Sequence, residues 1–229
     1  MEIQNPLYKK QGIHLIASIF TIDRGETKVL LVRRTNEPHK GKWALVGGAL
    51  YNNESVLDGL KREVYEKSGL KDVNFYLSNV FGGVDRKALI RMVGISFFGV
   101  IDSEKVKYLT QTEKTDNAAW FSINEIPKDL AYDHNEVVVD ALEKLRTMLY
   151  SSDILRTLFP NGFTMPELQK AYEVILGQSQ DRRNFRRKIL GMGLVEDSLE
   201  EVIFEGKRPA KLYKFKTDAE ENNKKGKDQ

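Results

Sequence analysis

The chain of 229 residues has no cysteine. Disulfides, thiolate metal sites and cysteine nucleophiles are excluded, and a reducing cytosol is the natural setting. Long apolar runs are also missing. The longest, at 92–101, is broken by Gly94, Ser96 and Gly99 and falls well short of the about 20 residues that span a bilayer. Met1, Glu2, Ile3, Gln4 and Asn5 lack the basic start and apolar stretch of a signal peptide. No membrane association and a cytoplasmic location are therefore expected. Charge of one sign is scarce as well: the net charge of +3 does not identify a polyanion-binding protein, so the placement of the charges has to decide.

What remains is an ordinary globular composition, sufficient for one large domain or two modest ones at roughly 150 residues each. Residues 14–20 and 28–32 are short aliphatic runs separated by Asp23, Arg24, Gly25 and Glu26, which predicts two strands. A third apolar run, 43–46, ends on Gly47 and Gly48. From 54 to 68 the period becomes helical, with Val56, Leu60 and Val64 four apart and Gly69 placed to end the helix. Strands are expected at about 73–83, 88–101 and 117–121. A helix follows over 133–149, with Asp133 as N-cap and Val137, Val138, Ala141, Leu142 and Leu145 as its apolar stripe. The character changes near Tyr150. Residues 151–216 read as three helices and a β-ribbon, and 217–229 as a charged tail too polar to fold.

Glu63, Glu66 and position 67 are spaced i, i+3, i+4 and share one helix face. Three carboxylates there would form a hard oxygen site for Mg²⁺, able to clamp a pyrophosphate and activate water. Arg62 points elsewhere and is placed to brace the preceding loop through Glu54. For Glu63 and Glu66 alone, a solvated amphipathic face is the plainer reading. The full set of Gly48, Glu54, Arg62, Glu63, Val64, Glu66, Gly69 and Leu70 resembles the Nudix box, G-x5-E-x7-R-E-U-x-E-E-x-G-U, at every fixed position but one. That one is Lys67, which stands where the resemblance implies a metal-binding glutamate. The substitution removes a ligand, adds a positive charge beside the metal position, and offers Glu63 an i, i+4 ion pair. Glu63 and Glu66 are left to support at most weak Mg²⁺ binding, so no catalytic residue is assigned and no cofactor is required.

The second constellation lies at 153–216. Ile154, Leu155, Leu158 and Phe159 predict a short helix stopped by Pro160, Asn161 and Gly162. Thr164 and Glu167 form a capping-box pattern ahead of Leu168, Ala171, Tyr172 and Ile175. A third helix sets Phe185, Ile189 and Met192 beside an arc of Arg182, Arg183, Arg186 and Arg187, as entry into a major groove requires. Two strands then flank a basic tip with Lys207, Arg208 and Lys211. This order resembles a winged helix-turn-helix in which the tip lies along phosphates while the third helix reads bases. Thr164, Arg182, Arg183, Asn184, Arg186, Arg187, Lys207, Arg208 and Lys211 are the candidate DNA contacts.

A degenerate Nudix domain (1–149) followed by a winged helix (150–216) resembles the NrtR-type regulators of NAD metabolism. The expected fold is thus an α/β Nudix sandwich followed by an α+β winged helix-turn-helix. The likeness extends through Leu130, Ala131, Tyr132, Asp133 and His134, with His134 read as a first-turn helix residue. It implies a homodimer on double-stranded operator DNA, with ADP-ribose or a related nucleotide in the Nudix cleft. The implied effector site comprises Arg34, Gly48, Arg62, Glu63, Glu66, Asp85 and Arg86. Two alternatives stay open: an active ADP-ribose pyrophosphatase with an accessory winged helix, and a sugar-responsive regulator on the same scaffold.

Overall fold

The computed structural model describes residues 11–84, 86, 90–102, 115–150, 154–203 and 209–216. Asp85, Lys207, Arg208 and the charged segment 217–229 lie outside them. Two compact units divide the chain, Met1–Leu145 and Arg146–Gln229, the division falling inside one helix.

The first unit is built on a six-stranded mixed sheet. Its strands are β1 (Gln11–Asp23), β2 (Glu26–Arg34), β3 (Trp43–Ala49), β4 (Tyr76–Phe81), β5 (Arg91–Val100) and β6 (Thr115–Ser122). They lie in the order β4-β5-β1-β3-β2-β6, and β1 also pairs with β2. The centre is β1, whose neighbour β5 is parallel to it and whose neighbours β2 and β3 are antiparallel. Strand alternation sends Leu15, Ala17 and Ile19 into a core with Leu30, Val32 and Val46, closed by Leu60 and Val64 of α1 (Val56–Ser68). Ile16, Phe20, Leu31 and Leu45, of opposite parity, are equally buried. Helix α2 (His134–Met148) supplies Val137, Val138, Ala141 and Leu145 as its buried stripe. The sandwich expected from the sequence is present, with strand and helix bounds within a few residues of those read there.

The second unit contains α3 (Met165–Leu176), α4 (Arg182–Gly191) and the strands β7 (Phe163–Thr164), β8 (Val195–Val202) and β9 (Ala210–Phe215). The three strands form a sheet ordered β7-β9-β8. Thr164 caps α3 through a complete capping box, and Asp181 caps α4 by accepting from the Asn184 amide at 2.9 Å. Phe163, Leu168, Tyr172, Phe185, Ile189 and Tyr213 make the core, with Tyr172 edge-on to Phe185 at 5.2 Å between centroids. The winged arrangement holds, with two corrections. The first expected helix is a single 3-10 turn, Arg156–Leu158, because Pro160 follows too soon for an α-helical ladder. The two-residue strand β7 was not expected, since it is too short to carry a period. Among the described residues, no helix is long and apolar enough to cross a membrane.

Candidate functional site

Register creates the first site. The β1–β3 pairing sets His14 opposite Ala49 and Leu15 opposite Gly48. The parallel β1–β5 pairing sets His14 beside Gly94. A cavity of about 240 Å³ opens here, lined by His14, Arg34, Pro38, Gly47, Gly48, Ala49, Lys67, Arg86, Ile90, Met92 and Tyr132. Glycines allow the close approaches here, and a Cβ on Gly47 would strike the backbone carbonyl of Leu15. A Cβ on Gly48 would strike the Glu63 carboxylate, and one on Gly94 would lie 2.7 Å from the guanidinium carbon of Arg86.

Three cations line this cavity, and each is held by something outside its lining. Arg34 donates to the carbonyls of Pro38 at 2.9 Å and Asn36 at 3.2 Å, and its guanidinium lies 5.0 Å from the Tyr132 ring. Arg86 makes a two-pronged pair with Asp133, at 2.6 and 3.0 Å. Lys67 is buried, donates to the Gly47 carbonyl and lies 3.0 Å from Glu63 Oε2. The i, i+4 pair expected between Glu63 and Lys67 is therefore formed. Asp133 stands at the N-cap position of α2, its carbonyl accepting from the Val137 amide at 3.2 Å, but as a correction both side-chain oxygens go to Arg86 and not to the helix.

Arg62, Glu63 and Glu66 are not among the lining residues. Arg62 grips Glu54 through two bonds of 2.8 and 2.7 Å, donates to the Ala49 carbonyl at 3.1 Å, and stacks over Tyr51 at 3.9 Å. This is the expected brace of the loop before α1. The bond from Arg62 holds the Glu54 carboxyl down at about 2. Arg62 also takes the second oxygen of Glu63 at 2.7 Å, which the sequence did not suggest. Glu63, 2% exposed, thus has a cation on each oxygen. The resemblance to the Nudix box implies a divalent metal on this helix face, and the donor set does not fit one. An ammonium occupies one carboxylate position, and the remaining buried carboxylate is already neutralised.

The chain's three histidines all surround Tyr132, with ring centroids 5.7 Å (His14), 4.7 Å (His39) and 5.5 Å (His134) away. Tyr132 and His39 both adopt left-handed backbone, φ 57 and 68, a conformation uncommon outside glycine. His134 opens α2 as expected, but its ring is buried. Nδ1 accepts from the Leu45 amide at 3.0 Å, which assigns the proton to Nε2. Burial, then neighbouring His14 and Arg86, hold His134 well below the ordinary imidazole range. Burial, then the Arg86 and Lys67 cations, lower His14 to about 3. His14 and His134 are therefore neutral, and the positive charge of the cavity belongs to Arg34, Lys67 and Arg86. A second cavity of about 430 Å³ shares Arg86 and Tyr132 with the first and adds Gly82, Gly83, Asp133 and Glu136.

Of the expected effector residues, Arg34, Gly48 and Arg86 line the cavity. His14, Ile90, Met92 and Tyr132 were missed. The run Leu130 to His134 carries a local signal for Tyr132, whereas His14 and Met92 are brought in by strand register.

The second site is α4. Arg182, Arg183, Asn184, Arg186 and Arg187 are all exposed on it. Arg186 donates to the Tyr213 hydroxyl at 2.8 Å, and Arg187 donates to Asn184 Oδ1 at 2.8 Å. Lys211 is exposed and paired with Asp197 at 2.9 Å. Thr164 is a correction: it is 3% exposed and its hydroxyl is used in the capping box, so it organises α3 and is not a surface contact.

The comparisons with known proteins follow the same two sites. Residues 12–141 match the NUDIX domain, and residues 156–215 match the NrtR DNA-binding winged helix domain. Over 203 residues the chain is 32% identical to the ADPR responsive transcriptional repressor NtrR of Acinetobacter baylyi, covering 86% of this chain and 79% of that one. Shewanella oneidensis NrtR complexed with a 27mer DNA aligns with a TM-score of 0.76 at 27% identity, over 89% of this chain and 93% of that one. The NUDIX domain of that NrtR complexed with ADP ribose aligns at TM-score 0.56 and 25% identity, over 61% of this chain and 91% of that one.

Proposed function

The chain belongs to the NrtR family, a Nudix domain joined to an NrtR-type winged helix, and from that premise we propose that it is a transcriptional repressor whose operator affinity responds to ADP-ribose. Residues 1–149 form the effector domain and 150–216 the DNA-binding domain of a cytoplasmic homodimer, acting on genes of NAD synthesis, salvage or uptake. The observation that supports recognition without cleavage is Lys67. Its buried ammonium stands on the face where a metal-binding carboxylate would be needed, and with Arg34 and Arg86 it makes the cavity cationic. Cations in a partly dehydrated cavity favour a diphosphate. The adjoining cavity leaves room for the rest of a nucleotide-sized ligand.

Linkage sets the mechanism. ADP-ribose must favour one DNA-binding competence over another, because a ligand indifferent to the two states shifts nothing. Exposed Arg182, Arg183 and Arg187 supply the charge that a phosphate-lined groove attracts. A mobility shift on the protein's own promoter DNA, with and without ADP-ribose, NAD and arabinose, tests this reading. ADP-ribose changes the shifted fraction and arabinose does not. A response to arabinose alone would replace the effector. If alanine at Arg182, Arg183 and Arg187 left a salt-sensitive complex intact, the repressor reading would fall.

A further inference from the structure

Leu190 is an anomaly of helix α4. The helix buries Phe185 and Ile189, yet Leu190 stands 41% exposed among arginines and lysines. Its neighbours sort by what restrains them. Arg186 is tied to the Tyr213 hydroxyl at 2.8 Å with its guanidinium 5.4 Å from the ring, and the Lys188 ammonium lies 3.2 Å from the Tyr150 ring. These two brace α4 against its own unit. With Phe185 and Ile189 turned inward, a period of about 3.6 residues puts Arg183, Arg187 and Leu190 on the opposite side. Arg183 has no ion-pair or hydrogen-bond partner among the described side chains, and Arg187 is steadied by Asn184 Oδ1 at 2.8 Å. The outermost strip of the helix is therefore two guanidinium groups followed by one apolar tip.

We propose that this strip reads bases: Arg183 and Arg187 each take a guanine edge, and Leu190 packs on the C5 methyl of a thymine. Guanidinium groups match the paired acceptors O6 and N7 of guanine, and the thymine methyl is the one apolar feature of the major groove. The exposed part of the Leu190 side chain gains from that contact. From Arg183 to Leu190 the helix rises about 10 Å, or about three base steps at 3.4 Å each. Each operator half-site thus holds two guanines and a thymine within about three base steps of one another. The specificity rests on the DNA-binding reading above and adds the residue that distinguishes thymine.

The test uses the full chain and its footprinted promoter operator, with affinity read by fluorescence anisotropy at one salt concentration. Thymines are replaced one at a time by uracil, which deletes only the methyl, and guanines by 7-deazaguanine, which deletes N7. For the wild type, one uracil position per half-site weakens binding by about fourfold, the value of burying one methyl. Leu190→Ala binds the thymine and uracil operators equally, whereas Leu190→Met keeps the distinction. The base-reading role is overturned if no uracil position matters, or if Leu190→Ala retains the preference for thymine. Tight, salt-sensitive binding that ignores every methyl would overturn this role alone, whereas no binding to promoter DNA would remove the repressor reading beneath it.

Discussion

Lys67→Glu reverses the feature that separates this site from a metal-dependent one. The ammonium lies 3.0 Å from Glu63 Oε2 and donates to the Gly47 carbonyl, in a position 9% exposed. The substitution removes that cation and sets a second carboxylate beside a buried one, which keeps Arg62 at 2.7 Å as a counter-charge. At ~4 Å and an effective dielectric of ~20, a unit-charge interaction is about 4 kcal/mol. Breaking a buried pair costs about 3–5 kcal/mol, and the remaining Arg62 contact places this variant toward the lower end. At about 2–4 °C per kcal/mol for a chain of this size, the melting temperature falls by roughly 10 °C in EDTA. The three carboxylates now on one face form a hard oxygen site, so Mg²⁺ restores much of the loss. Scanning calorimetry of the wild type and variant, each in EDTA and in Mg²⁺, reads both effects. The wild type melts alike in the two. A variant as stable as the wild type in EDTA, or one indifferent to Mg²⁺, would refute the account of Lys67.

Three further outcomes follow from the same geometry. His14 has a folded pKa of about 3 against 6.5 for the free side chain. The unfolded chain therefore binds its proton first, and the stability present above 6.5 is lost progressively as pH falls toward 3. Thermal melts of the wild type should show a steeper acid loss than those of His14→Gln, and parallel curves would exclude His14 as a source. Arg34→Ala and Arg86→Ala each weaken ADP-ribose binding about 10- to 100-fold by calorimetric titration, as expected for a lost charged hydrogen bond; unchanged affinity in both would move the ligand elsewhere. Thr164→Ala costs about 1 kcal/mol of stability through the lost cap and leaves the salt dependence of DNA binding unaltered, whereas a slope reduced by about one unit would restore Thr164 as a phosphate contact.

Local signals were legible in the sequence and long-range ones were not. The capping box at Thr164 and Glu167, the Gly69 terminus of α1 and the Glu54–Arg62 brace all join residues on one helix or its entrance. Each is carried by fixed spacing, and each is present. The cavity wall behaves differently. His14 meets Tyr132 across 118 positions only because β1 and the segment before α2 are brought together by the sheet. Nothing near His14 in the chain announces this. Asp133 was expected to cap α2 because its type and place suit a cap; Arg86, 47 residues away, takes both its side-chain oxygens instead. Thr164 shows the same limit from the other side: a polar type suggested a surface, and tertiary packing buried it. On α4 the basic residues are visible in sequence, but the bracing of Arg186 by Tyr213 and of Lys188 by Tyr150 is not.

A cationic Nudix cleft that has lost its metal-binding glutamate reports its occupancy to DNA only if ADP-ribose and operator binding are coupled. The most direct test of that coupling is the affinity for ADP-ribose in EDTA, measured once on the free protein and once on its promoter complex, with the nucleotide recovered and identified afterwards. Linkage requires the two affinities to differ, by roughly 5- to 150-fold for ordinary coupling, and the ADP-ribose is recovered intact. Equal affinities, or conversion of the ligand at enzymatic rates when Mg²⁺ is supplied, would contradict the account.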